Sequence, residues 1–177
     1  MIHDFIQRAK KLSPALFYPI FLLIQETAAK TSDILALQWK DIIFKTNVIE
    51  FHRSKELQKR SFGVSSDVIA AIRKIDRISD YVFTNLEQQP LQKHIISREL
   101  KRFQRQAGFE TTWGLRDLRA SYGANFLKRR GSITDLQKIM GHIRPYQTAE
   151  IFGRIAALKS NINDFAAVQE TGEISLS

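Results

Sequence analysis

Apolar positions along the chain fall mostly at helical spacing. Ile2, Phe5, Ile6 and Ala9 form one short stripe, and Ser13 and Pro14 serve equally as its end or as the start of the next helix. Pro19 delays or kinks that second helix, leaving residues 21–27 as its secure part. Thr31 or Ser32 then caps a third helix carrying Ile34, Leu35 and Leu37, which puts Lys30 in a tight joint between two helices. After Trp39 the period changes. Residues 42–44, 48–52 and 61–64 predict three short antiparallel strands, joined by a Lys-Thr-Asn turn and a Lys-rich loop. Residues 65–67 start a helix bearing Val68, Ile72 and Ile75, and Tyr81, Val82 and Phe83 read as a short extended piece. Ile96, Leu100, Phe103 and Ala107 give the cleanest apolar face, with Arg98, Lys101, Arg102 and Arg105 opposite it. Leu115, Leu118, Tyr122 and Phe126 form a further stripe, leaving Arg116 and Arg119 one turn apart on another face. Ser132 is an N-cap for a helix with Ile133, Leu136 and Met140 on one face, and Gly141 stops it. His142 therefore stands just past a helix end.

The pattern predicts a mainly α fold with a small three-stranded antiparallel sheet, an α+β architecture. One domain is expected over residues 1–154. Residues 155–177 form a C-terminal helix and tail, where Ile155, Leu158, Ile162 and Phe165 need an apolar groove on this or a neighbouring molecule.

Composition narrows the partners. The 177 residues are 44% hydrophobic and 25% charged, enough for one sizeable core, and the net charge is +9. Such an excess favours polyanions without distinguishing DNA, RNA or an acidic membrane surface. It is also local: residues 93–130 hold ten Lys or Arg against three Asp or Glu, whereas residues 155–177 hold one against three. The tail should not touch phosphate. With no cysteine and four scattered histidines, no disulfide, metal or cofactor is expected. The apolar run of residues 20–24 is too short to span a bilayer, and no signal-peptide pattern precedes it. No membrane partner is expected, and the expected location is cytoplasmic, nucleoid-associated in a bacterium.

Several residues suit phosphate chemistry. Arg116 and Arg119, one turn apart, can grip one phosphate, and an imidazole at His142 suits a hydrogen bond to an anionic group. The basic face at Arg98, Lys101, Arg102 and Arg105, on which no balancing acid is expected, suits a helix lying against a DNA groove. A merely solvated face has the same composition.

Three runs resemble the tyrosine recombinase, or phage integrase, family in its C-terminal catalytic domain. They are Gly114-Leu-Arg116-Asp-Leu-Arg119-Ala-Ser-Tyr-Gly123, then Ile139-Met-Gly-His142 with Gln147-Thr-Ala-Glu-Ile-Phe152, and Glu26-Thr-Ala-Ala-Lys30-Thr-Ser-Asp33 running on to Leu37-Gln-Trp39-Lys-Asp41. The basic run Arg53-Ser-Lys55, followed by Lys59-Arg60, is similar to the family's strand-turn lysine region. The resemblance covers roughly residues 17–152. It implies a metal-free site in which a tyrosine attacks a DNA phosphate. Lys30 stands for the family's first arginine, keeping its charge but losing the planar two-pronged grip. Lys55 stands for the lysine that protonates the leaving oxygen. Arg119 is the second family arginine, Arg116 replaces a histidine as a donor that cannot act as a neutral base, and His142 donates to the phosphate in the transition state. Phe152 occupies the nucleophile position and has no hydroxyl to attack with.

Blander readings remain beside these: solvated loop lysines at 30 and 55, and a surface Arg119 paired with Asp117 or Glu150. Asp33 and Asp135 are expected to cap helices or support neighbours. The expected function is a DNA-binding integrase-type domain for site-specific recombination or integration, unable to cleave as written, with double-stranded DNA as partner and a second copy paired through the tail. The family's N-terminal helical domain has no counterpart in this stretch, so weaker and strongly salt-dependent DNA binding is expected. Two alternatives are the catalytic fragment of an active recombinase carrying an introduced Tyr to Phe change, and a non-catalytic nucleic-acid-binding or regulatory module. An RNA-binding domain fits less well, because no aromatic-rich strand motif for stacking bases is present.

Overall fold

The computed structural model describes residues 2–12, 16–53, 56–109, 113–129, 131–141 and 153. Ser13, Pro14, Lys55, His142, Phe152 and the tail from residue 154 lie outside them. The first three elements are α1 (Ile2–Leu12), α2 (Tyr18–Thr27) and α3 (Thr31–Leu35). Because α2 is apolar on nearly every side, it can only be stable as the centre of the fold. Ile20, Phe21, Leu23 and Ile24 are fully buried in it. Pro19 sits in its first turn, where a missing N–H costs nothing, so the helix starts late rather than kinking.

The sheet follows as β1 (Ile42–Ile43), β2 (Val48–Arg53) and β3 (Glu56–Gly63), antiparallel in the order β1-β2-β3. The third strand begins five residues earlier than the alternation predicts. Lys59 and Arg60 are therefore strand residues paired with His52 and Phe51 rather than part of a loop. Backbone pairing with β2 overrides the weak side-chain pattern, and a charged edge strand resists pairing with other chains. A register shift lies between His52 and Arg53. Just below it, His52 Nε2 lies 3.0 Å from Oδ1 of the buried Asp41, whose other oxygen accepts from the Gln38 N–H at 3.0 Å. Asp41 thus anchors β2 to the start of the sheet.

Helix α4 (Ser66–Ile72) starts at Ser65, whose hydroxyl accepts from the Val68 N–H and donates to Glu26 of α2 at 2.7 Å. It ends at Ile72, so Ile75 packs from the loop instead. An extended strap brings Val82 and Phe83 into the core, with the Val82 N–H donating to the Leu37 carbonyl at 2.9 Å. Helix α5 (Lys93–Gln106) buries Ile96, Leu100 and Phe103 as predicted. Its Gln104 side chain is buried and bonds both the N–H and the C=O of Trp113, which fixes the entry to α6 (Leu115–Lys128).

The stripe expected on α6 holds only in its first turn. Leu115 and Leu118 are buried, but Tyr122 and Phe126 are half-buried and stack on each other, while Ala120 and Gly123 are buried on another face. The cause is that α6 lies between α2 and α7 (Ile133–Met140) and is packed on more than one side. Small residues let the neighbouring backbones approach. Ala28, Ala120, Leu136 and Met140 make a second small core there, apart from the main one. Ile133, expected on the same face as Leu136 and Met140, is 52% exposed because it sits in the first turn, before α7 reaches this core. Among the described residues no helix is long and apolar enough to cross a membrane.

Candidate functional site

The joint between α2 and α3 is built by local chemistry. The Thr27 hydroxyl donates to the Leu23 carbonyl at 2.6 Å and accepts from the Ala29 N–H at 3.2 Å, closing the last turn of α2. Ala28 turns the chain in a left-handed conformation, φ 51°. Lys30 then takes the N-cap position of α3, one residue earlier than Thr31, and its carbonyl accepts from the N–H groups of Asp33 and Ile34. The lysine is half-buried, held by helix geometry on both sides rather than loose in a loop.

Arg119 of α6 reaches into this joint. Its Nε donates to the Ala28 carbonyl at 2.5 Å and its Nη2 to the Met140 carbonyl at 2.5 Å. One half-buried guanidinium thus ties the Lys30 joint to the end of α7. Its neighbour Asp117 accepts from the Gly114 N–H at 2.8 Å and caps α6. Arg119 is half-buried rather than exposed, and Glu150 lies outside the described residues. Arg116, one turn earlier on α6, is exposed.

A helix end leaves its last four carbonyls without intrahelical partners, and those of α7 are all taken up. The N–H of Gly141, left-handed at φ 61°, serves Gln137 and Lys138. Arg60 Nη1 donates to Ile139 at 3.0 Å, and Arg119 serves Met140. Two cations at a helix C-terminus also oppose the negative end of the helix dipole. The C-terminal end of α7 is consequently held by two arginines, one from β3 and one from α6.

Arg60 was not visible as a site residue in the sequence, where it reads as part of a basic hairpin. Its Nη2 donates to Asp33 Oδ2 at 2.6 Å, with side-chain exposures of only 14% and 11% for the pair. Removing one partner of such a pair leaves a buried charge and costs about 3–5 kcal/mol. Asp33 supports a neighbour, as expected, and Asp135 closes a cap with Ser132 at 2.6 Å.

The structure thus brings the Lys30 joint, Arg119 and Gly141 together, and leaves Lys55, His142 and Phe152 outside the described residues. On α5, Arg98, Lys101, Arg102 and Arg105 are all exposed. An open cleft at the start of that helix is lined by Gln92, Lys93, His94, Ser97, Arg98 and Lys101. The expectation of no balancing acid on this face fails. Glu99 lies 2.6 Å from Arg102, because positions three apart on a helix are neighbours, and 3.9 Å from the adjacent Arg98.

The sequence pattern of the Phage integrase family matches residues 2–156. This chain belongs to that family. The probable integrase/recombinase YoeC of Bacillus subtilis (strain 168) is 28% identical over 140 residues, which are 77% of this chain and 76% of YoeC. This integrase-family chain also has the fold of solved recombinases. It is similar to the XerA recombinase at a TM-score of 0.75 and 18% identity, over 90% of this chain and 62% of XerA. The XerH site-specific recombinase bound to its difH substrate gives a TM-score of 0.75 and 18% identity over 90% of this chain and 50% of XerH. The lambda integrase catalytic core gives 0.62 at 18% identity, over 81% of this chain and 88% of that core. The integrase-family chain therefore spans about three fifths of XerA and half of XerH, and most of a catalytic core.

Proposed function

We propose that this chain is a DNA-binding domain of an integrase-type, site-specific recombinase whose own strand cleavage is blocked at position 152. The observation that supports the reading is the pair of hydrogen bonds from Arg119 to the Ala28 and Met140 carbonyls, which ties the Lys30 joint to the end of α7 around one anchored cation. A guanidinium plane fixed in advance stabilises charge on a phosphate without reorganising, which is the usual source of catalytic electrostatics. Lys30 adds a point charge at the same joint, and Arg116 an exposed donor one turn away. In this reading His142 and Lys55 complete the set, at the transition-state phosphate and the leaving oxygen. The exposed cations of α5 take the backbone of double-stranded DNA, in keeping with the DNA-bound forms of XerH and lambda integrase.

Phe152 has no oxygen with which to attack phosphorus, so the chain as it stands binds and does not cut. The test is a covalent-adduct assay on nicked DNA from the source locus, comparing the chain with Phe152→Tyr on a denaturing gel. Only Phe152→Tyr should yield an adduct. If it yields none while gel shifts show that both forms bind, the site is not catalytic. The departures at Lys30 and Arg116 then favour the second reading, a recombinase fold kept for DNA binding or regulation.

A further inference from the structure

We infer that Arg60 is a positioning residue for the site, holding the C-terminal end of α7, which directly precedes His142 in the sequence; this rests on the reading of the site given above. Arg60 touches three segments that each carry, or directly precede, a proposed site residue. It belongs to β3, which directly follows Lys55 in the sequence. Its Nη2 bonds Asp33 of α3, the helix whose N-cap is Lys30. Its Nη1 bonds the carbonyl of Ile139, three residues before His142. Both terminal nitrogens are committed and the side chain is 14% exposed, so Arg60 is not placed as a DNA phosphate contact.

Geometry makes the arginine specific. The planar fork aims two donors in fixed directions, towards a carboxylate on one side and a helix-end carbonyl on the other, and the Phe62 ring lies against its face at 5.9 Å. A lysine in its place can keep the charge beside Asp33 but cannot hold both acceptors in that geometry. The end of α7 would then rest on Arg119 alone. That arginine also has to hold the Ala28 carbonyl, so loosening α7 loosens the guanidinium proposed to meet the phosphate.

The experiment compares the full chain with Arg60→Lys and with Asp33→Asn, which keeps an amide oxygen in the acceptor's place. Nuclear magnetic resonance follows amide exchange at residues 139–141, thermal unfolding follows the fold, and gel shifts on nicked duplex follow DNA affinity. For Arg60→Lys, exchange at Gly141 should accelerate at least about thirtyfold while α5 amides stay protected. DNA affinity should stay within about threefold. Asp33→Asn should accelerate the same amides about tenfold, and it decides the matter if Arg60→Lys does not fold. In the Phe152→Tyr background, the maximal adduct rate should fall at least about thirtyfold with half-saturating DNA unchanged. Gly141 exchange that matches the parent in whichever variant folds, or acceleration spread evenly over α5 and α7, overturns the role of Arg60. If Phe152→Tyr forms no adduct with Arg60 intact, the catalytic reading fails, and the Gly141 exchange still decides whether Arg60 holds the helix end.

Discussion

Ala28 shows how one residue can carry opposing terms. A left-handed conformation costs an L-residue about 1–2 kcal/mol, and a glycine would avoid it. Yet the Ala28 side chain is fully buried in the small core with Ala120, Leu136 and Met140, and a buried methyl contributes about 0.8 kcal/mol. The two nearly cancel, so Ala28→Gly should move the urea midpoint by an equivalent of less than about 1 kcal/mol. Ala28→Val adds a β-branched strain to an overfilled site and should destabilise by more than about 2 kcal/mol. An unchanged midpoint for Ala28→Val would contradict the left-handed joint. Arg119 depends on this turn, since the carbonyl it grips is that of Ala28.

Among the elements, α5 separates charge that is available from charge already used. Lys101 and Arg102 are adjacent and both exposed, but Glu99 is 2.6 Å from Arg102. If α5 faces DNA, Lys101→Ala should lower the slope of log affinity against log salt by about 1, as for one lost phosphate contact. Arg102→Ala should lower it less, and Glu99→Gln should tighten binding, because it releases a cation. Equal losses from Lys101→Ala and Arg102→Ala would mean that the ion pair opens on DNA. Much of the element pattern was legible beforehand: the α5 face, the Ser132 cap and the Gly141 stop follow from local rules, whereas Pro19 left a kink or a late start of α2 open. The α6 stripe was not, because burial on more than one side has no single period to detect. The length of β3 was not either, since a charged strand is held by its neighbour's backbone rather than by its own apolar alternation.

At the scale of the whole molecule, packing around α2 and α6 changes how the chain responds to alkali. Burial pushes the Tyr18 hydroxyl above its usual value near 10, and the Asp67 and Glu26 carboxylates raise it further. Burial raises Tyr122 as well, against a lowering by Arg129. A raised value means that the unfolded chain loses the proton first. The contribution of each tyrosine is then fully present below about pH 10 and is lost as pH rises from there through the folded value. Unfolding free energy should therefore fall as pH passes 10, and the fall should be shallower in Tyr18→Phe, which has no proton to lose. A slope identical to the parent's in denaturant titrations at pH 9 to about 11 would exclude this origin.

The sequence by itself determined most of the helices and the family, because helical period, caps and motif spacing are short-range and survive in a string of letters. It also placed Arg119 and Lys30 as candidates. Only the tertiary structure decided what these residues hold. Arg119 meets Ala28 across 91 positions, and Arg60 meets Asp33 across 27 and Ile139 across 79. Such contacts are chosen by packing, which brings helix ends with unpaired carbonyls to the nearest buried donors. No spacing in the chain encodes that choice.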